Sequence, residues 1–203
     1  MTLSRLIKKA LNDILKDSFN PKVSEENKNE IVDNPDIQED QEIKPINPKI
    51  EDDGLGEDSI TLEDGLLEDI CSLQTLYQQI KLFHWITNGS NYIATHRFFD
   101  EVADAILEQV DLMAERLVFL EIKPIADLEE ISKKSYIKFA EMESFKFDGA
   151  ISIMDEGLNL LIDKMKGNSQ KAGDSRNIGT EKMLQDFVYD LEVLQHHIRS
   201  FKG

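Results

Sequence analysis

Residues 61–87 read TLEDGLLEDICSLQTLYQQIKLFHWIT, and their apolar side chains recur every three or four positions. This period places the apolar side chains on one face of an α-helix. Thr61 followed by Asp64 resembles a capping box, which begins a helix. The following Asn88-Gly89-Ser90 is typical of a helix stop. The stretch therefore predicts one long amphipathic helix with a buried face.

The same helical period continues through the rest of the chain. A second run extends from near Ala94 to about Leu120, a third covers roughly 148–167, and a fourth opens at Thr180. Residues 126–134 predict a short helix, and we expect a polar loop bracketed by Gly167, Gly173 and Gly179. No stretch predicts a strand. The expected fold is all-α: a four-helix bundle with a short helix in the long connection between helices two and three.

The charge divides the chain into three parts. Residues 1–22 carry a net charge of about +3 and place apolar side chains at helical spacing, which predicts an amphipathic N-terminal helix. Residues 23–56 carry about −8, several prolines and no sustained period, which is typical of a flexible acidic linker. The patterned sequence of residues 57–203 is expected to form the bundle domain.

Composition excludes several classes of function. With a net charge of −17, the chain repels phosphate over most of its surface, which argues against broad nucleic-acid binding but suits cations. No uncharged run reaches 18 residues, so no membrane span is expected. The single cysteine, Cys71, cannot form an internal disulfide, and charged residues interrupt Met1–Asn20 where a signal peptide would be apolar. We therefore expect a cytoplasmic protein.

Two pairs on the second helix predict a metal site. His96 and Asp100 are four residues apart, as are Asp111 and Glu115, so each pair shares a helix face. An antiparallel turn can bring His84, near the end of the first helix, beside His96. Imidazole with carboxylate oxygen is the ligand set of iron and other first-row divalent metals. A single pair of this kind is more often a pair of ordinary solvated surface residues than part of a metal site.

The spacing of the two pairs constrains such a site. Fifteen residues separate His96 from Asp111, which is about 22 Å along a helix. One straight helix cannot bring both pairs to one metal ion. Two copies packed antiparallel about a two-fold axis can, and they form two equivalent sites per dimer. A single kind of metal site in this chain would therefore lie between subunits.

These motifs resemble the Dps (DNA protection during starvation) family of mini-ferritins over residues 57–203. The first helix of that family ends in His-Trp before a glycine-containing turn, as at His84-Trp85 and Gly89. The second helix carries His, then Asp, then Asp-x-x-Ala-Glu-Arg, as at His96, Asp100 and residues 111–116. The resemblance implies a ferritin-like four-helix bundle.

The resemblance also implies the roles of individual residues. According to the resemblance, His84, His96 and Asp100 are metal ligands from one subunit. Asp111 and Glu115 are then ligands from the subunit related to it by a two-fold axis. Trp85 matches the aromatic residue beside the site and is our candidate catalytic residue. The implied protein is a ferroxidase that oxidises Fe(II) to Fe(III) with hydrogen peroxide or oxygen. It would store ferric iron in a hollow homo-oligomer, expected to be a dodecamer built from two-fold dimers. Other divalent metals such as zinc remain open.

A second hypothesis comes from the arrangement of arm, linker and domain. A ferritin-like structural or cargo component of a larger particle, such as a virion or compartment, would need residues 1–22 as a docking arm for a protein or particle partner. A DNA-condensing role ranks third, because only residues 1–22 are basic.

Overall fold

The computed structural model describes residues 61–142 and 144–200, so the predictions for residues 1–22 and 23–56 lie outside the described residues. The described chain forms four long helices and one short one: α1 (Leu62–Ile86), α2 (Tyr92–Phe119), α3 (Leu128–Lys134), α4 (Phe147–Asp174) and α5 (Ile178–Ser200). Its described residues contain no strand. The all-α prediction is confirmed, and α3 lies in the connection between the second and third long helices.

The helix ends follow local chemistry. The Thr61 hydroxyl accepts a hydrogen bond from the Asp64 amide at 3.1 Å, which caps the start of α1 as predicted. The carboxylate of Asp127 caps α3 by accepting from two amides of its first turn. At the ends of α2 and α4, Glu121 and Arg176 adopt left-handed backbone conformations with φ of 63° and 58°. The turns there donate amide hydrogen bonds back to the last helical carbonyls, which ends both helices without glycine.

The helices pack as a bundle with one crossover. The turn after α1 contains Gly89, at φ 100°, and sends α2 back antiparallel to α1. Gly65 of α1 lies against Asn168 of α4. Further along α1, Leu76 lies against Gly157, so α1 and α4 are also antiparallel. The helices α2 and α4 therefore run in the same direction, which requires the long connection that contains α3.

The interior is apolar and shared by all four long helices. Large aromatic and aliphatic side chains fill it, including Phe83, Phe99, Leu66, Ile106, Met113, Leu117, Ile151 and Met154. Cys71 is buried among them and has no disulfide partner. Within the residues that the structure describes, no helix is long and apolar enough to cross a membrane. The stripe predicted for each helix is the face that packs inward.

The predicted polar loop between the third and fourth long helices is wrong. Gly167 and Gly173 lie inside α4, and Gly179 lies inside α5. Residues 175–177 alone connect the two helices. Packing overrides the glycine penalty of about 1 kcal/mol, because this part of α4 buries Asn168 and Ala172.

A buried polar cluster joins α1, α4 and the connection. Asp69 of α1 is fully buried, and its carboxylate accepts hydrogen bonds from the Tyr136 hydroxyl at 2.8 Å and from the Asn168 amide at 2.9 Å. Burial raises the pKa of Asp69 to about 7, against the lowering effect of these two donors. A β-carbon at position 65 would lie 2.3 Å from the Asn168 side chain, so glycine there makes room for the cluster. The sequence pattern gave no sign of this carboxylate.

Candidate metal centre

His84 and His96 lie side by side where α1 and α2 meet at the hairpin turn. Each histidine donates from Nδ1 to the other's backbone carbonyl, both at 2.9 Å. A carbonyl oxygen can only accept, so each Nδ1 carries a proton, and in the neutral form of the ring the lone pair is therefore on Nε2. The two rings stack with centroids 3.7 Å apart. This reciprocal pair of hydrogen bonds sets the tautomer that metal binding at Nε2 requires.

Asp100 completes the group, one turn further along α2. Its Oδ1 lies 3.7 Å from Nε2 of His84. Two ligand atoms that share a metal ion at about 2.1 Å lie roughly 3–3.5 Å apart, so a small shift would let both bind one ion. The structure thus brings together the three residues that the sequence assigned to one subunit.

Lys81 is a neighbour that sequence reasoning missed. Its ammonium Nζ lies 2.7 Å from the same Oδ1 of Asp100, and its side chain is largely buried. This hydrogen bond, with the positive charge of Lys81, holds the pKa of the Asp100 carboxyl below its ordinary value, although burial opposes the shift. The carboxylate is kept ionised, and an incoming cation must share it with Lys81. Lys81 lies three residues before His84, so helical spacing places both residues on one face of α1. This spacing is the feature of the sequence that could have identified Lys81.

Two aromatic residues lie near the histidines. The Tyr92 ring stacks on the His96 ring, with centroids 5.0 Å apart and planes at 27°. Trp85, the candidate catalytic residue, follows His84 on α1, and its side chain is 64% exposed in the single subunit. The sequence singled out the tryptophan and missed the tyrosine, although Tyr92 lies one helical turn before His96.

Asp111 and Glu115 lie near the far end of α2. Because α2 is continuous from Tyr92 to Phe119, Asp111 is about 22 Å along the axis from His96, as the sequence predicted. Both side chains are exposed. Asp111 and Glu115 lie on the same stripe of α2 as Asp100. Leu107 lies on this stripe between Asp100 and Asp111 and is 43% exposed. One subunit therefore does not bring these two residues to the histidines.

Within residues 61–142 and 144–200 of a single subunit, no group of three or more His, Cys, Asp or Glu side chains is arranged to hold a metal ion. A metal site that used His84, His96 and Asp100 would have two imidazole nitrogens and one carboxylate from this subunit. Further oxygen ligands would have to come from outside the subunit.

Residues 63–202 match the ferritin family, described as a ferritin-like domain. The chain belongs to the ferritin family. The match covers the described bundle from residue 63 onward, including all the candidate site residues on α1 and α2.

Relatives within the ferritin family point to one branch of it. The chain is 24% identical over 138 residues to the DNA protection during starvation protein of Halobacterium salinarum, a match that covers 68% of this chain and 76% of the relative. It is 27% identical over 143 residues to an uncharacterised protein of Haemophilus influenzae, which covers 67% of this chain and 84% of that protein.

The solved structure of the Dps protein of Vibrio cholerae has the same fold. The TM-score is 0.67 at 20% sequence identity, and the match covers 70% of this chain and 89% of that chain. That protein is described as a member of a broad superfamily of ferritin-like diiron-carboxylate proteins. The ferritin-like bundle of Dps proteins, which the motifs predicted, is therefore the fold of this chain.

Proposed function

We propose that this ferritin-like protein binds and oxidises Fe(II) at sites shared between two subunits. His84, His96 and Asp100 of one subunit provide one half of each site. Asp111 and Glu115 of a two-fold related copy provide the other half. The observation that carries the proposal is the reciprocal hydrogen bonding of the two histidines, which leaves both Nε2 atoms free as ligands beside a carboxylate.

The chemistry of the ligand set suits iron oxidation. Ionised carboxylates stabilise Fe(III) more than Fe(II), because they neutralise more of the higher charge. With hydrogen peroxide as the oxidant, two Fe(II) ions each give up one electron. One peroxide takes up these two electrons and two protons and becomes two water molecules. Iron is thus the substrate, and the ferric product is stored inside the oligomer. The description of the Vibrio cholerae protein supports iron rather than zinc.

The surface of α2 supports a site between subunits. In an antiparallel contact of two α2 helices, the residue midway between Asp100 and Asp111 meets its own copy at the two-fold axis. Leu107 lies near that midpoint, and Leu112 follows beside the second ligand pair. Both leucines are partly exposed in the single subunit. An apolar contact at the axis would hold the flanking ligands of the two subunits together.

Trp85 remains our candidate for the aromatic residue that assists oxidation from beside His84. The dodecameric shell, protection against peroxide and a cytoplasmic location are parts of the same proposal. Relatives bear the name DNA protection during starvation protein. In this chain a DNA contact would depend on the basic residues 1–22, so we do not include DNA binding in the proposed function. A structural or cargo role gains no support from the fold.

Complementation between two inactive variants tests the shared site. His96→Ala removes a ligand from one half, and Asp111→Ala removes a ligand from the other half. Each variant alone should lose most of its Fe(II) oxidation. We would co-express the two chains with different tags, purify particles that carry both, and follow Fe(III) formation in the near ultraviolet with hydrogen peroxide.

Random pairing makes half of the dimers mixed, and each mixed dimer has one intact site of two. The mixed particles should therefore recover about a quarter of the wild-type rate. Asp104→Ala, on the same stripe but outside the ligand set, should oxidise iron at the wild-type rate. Mixed particles as inactive as their parents would place each site within one subunit. Full activity of either single variant would show that the ligand assignment is wrong.

A further inference from the structure

Three aromatic rings form a continuous stack at the candidate site. Tyr92 lies on His96 at 5.0 Å, and His96 lies on His84 at 3.7 Å, with interplanar angles of 27° and 26°. Tyr92 is the first residue of α2, and its amide donates to the Gly89 carbonyl at 3.1 Å, so the hairpin turn fixes its backbone. His96 follows one helical turn later on the same face.

The stack restrains His96 more tightly than its hydrogen bond alone. The hydrogen bond from Nδ1 to the His84 carbonyl fixes one ring atom. Rotation of the ring about the axis of this hydrogen bond would still move Nε2, the atom that would bind the metal. The rings of Tyr92 and His84 both stack on the imidazole and oppose this rotation.

The stack also matters once a cation is bound. A metal ion draws electron density from its imidazole ligands, so both histidine rings gain positive character, and their stacking on one another becomes less favourable. An aromatic face carries negative charge from its π-electrons and attracts a positively polarised ring. The Tyr92 ring, stacked on His96, therefore offsets part of this repulsion.

We propose that Tyr92 is a positioning residue of the metal site, whose ring holds His96 in the ligating orientation and strengthens metal binding. This inference rests on the proposed function, since it requires His96 to be a ligand. It assigns the stacking role to the tyrosine ring rather than to the hydroxyl group or to Trp85. Phenylalanine at position 92 should therefore serve, and an aliphatic side chain should not.

Cobalt binding tests the inference apart from iron oxidation. Co(II) would be titrated into the metal-free, assembled full-length protein, with its visible absorption as a measure of occupancy and ligand geometry. The variants are Tyr92→Phe, Tyr92→Leu and Tyr92→Gln, with Tyr189→Leu, at an exposed tyrosine of α5, as the matched aromatic control and His96→Ala as the ligand control. Thermal unfolding of each metal-free variant separates a change in binding from a change in folding.

We expect Tyr92→Phe and Tyr189→Leu to bind Co(II) within about twofold of wild type. Tyr92→Leu and Tyr92→Gln should bind about tenfold more weakly, with an altered spectrum and unchanged thermal unfolding. Wild-type binding by both ring-free variants, with binding lost in His96→Ala, would overturn the inference and leave the proposed site intact. Weak binding by Tyr92→Phe would also overturn it, because the hydroxyl would then be responsible. Wild-type binding by His96→Ala would instead refute the proposed site.

Discussion

Asp69 and Asp100 carry the same side chain on neighbouring helices, and their surroundings shift their pKa values in opposite directions. Asp100 lies near the bundle surface, and the Lys81 ammonium keeps its pKa below the ordinary value. Asp69 is fully buried against two neutral donors, and its pKa is raised to about 7. A charged partner at the edge of the bundle favours the carboxylate, whereas burial in the interior favours the carboxylic acid, even though the two neutral donors oppose this shift.

The difference separates two roles. An ionised, partly exposed carboxylate beside two imidazoles can accept a metal ion. A buried carboxyl group whose partners are a hydroxyl and an amide serves the fold, because it ties α1 to α4 and to the connection. Neutralising each aspartate should therefore affect a different property of the protein, and this separation can be tested.

The largest effect should follow from Asp100→Asn. The amide keeps the shape of the side chain but removes the negative charge that the metal would share with Lys81. We expect Fe(II) oxidation to fall at least tenfold, with an unchanged particle mass, measured by near-ultraviolet absorption and light scattering.

Asp104→Asn is the matched control, since Asp104 is one turn further along the same stripe of α2. It should leave oxidation unchanged. Equal losses in the two variants would mean that general negative charge, rather than a ligand at position 100, drives the reaction. An active Asp100→Asn protein would remove Asp100 from the ligand set.

The second effect should appear in stability rather than in iron chemistry. The pKa of Asp69 is about 7 in the folded protein, against an ordinary value of 3.8. Between these pH values the folded protein holds a proton that the unfolded chain has lost. Binding of this proton stabilises the folded protein fully below pH 3.8. This stabilisation is lost as the pH rises to about 7. Between these two pH values the free energy of unfolding falls by about 4 kcal/mol.

Asp69→Asn should remove this pH dependence, because the amide stays neutral at every pH and can still pair with Tyr136. We expect the variant to match wild type near pH 4 and to unfold at a higher temperature than wild type at pH 8. Thermal unfolding at fixed protein concentration measures this, because assembly also contributes to stability. Glu63→Gln, an exposed acid on the same helix, should keep the wild-type profile. A wild-type profile in Asp69→Asn would show that Asp69 is ionised in the folded protein.

What the sequence could predict depends on how local the determinants are. Apolar periodicity and the capping residue Thr61 are local properties, and they predicted the bundle, the start of its first helix and the short helix over residues 126–134 in the long connection. The meeting of His84 with His96 was also predictable, since a short turn joins their two helices. The helix period alone gave the 22 Å separation of His96 and Asp111.

The remaining features depend on long-range packing. Asp69 meets partners 67 and 99 residues away in the chain, and no local pattern points to such contacts. The continuation of α4 through Gly167 likewise depends on what the helix packs against rather than on the glycine itself. At the site, the sequence pattern selected residue types that bind metals. Lys81 and Tyr92 were missed because they contact the candidate ligands Asp100 and His96 but are not themselves residue types that this pattern selects.

The smallest effect should come from deleting residues 1–50. Residues 61–200 already provide the buried core, the Asp69 cluster and the group of His84, His96 and Asp100. We expect the shortened protein to keep its particle mass, to unfold within about 2 °C of the full chain and to oxidise iron at the same rate. It should lose co-purification with any partner that the basic, amphipathic residues 1–22 bind. If the deletion instead breaks the assembly, the N-terminal segment is part of the shell, and iron oxidation will fall with it because the shared sites require paired subunits.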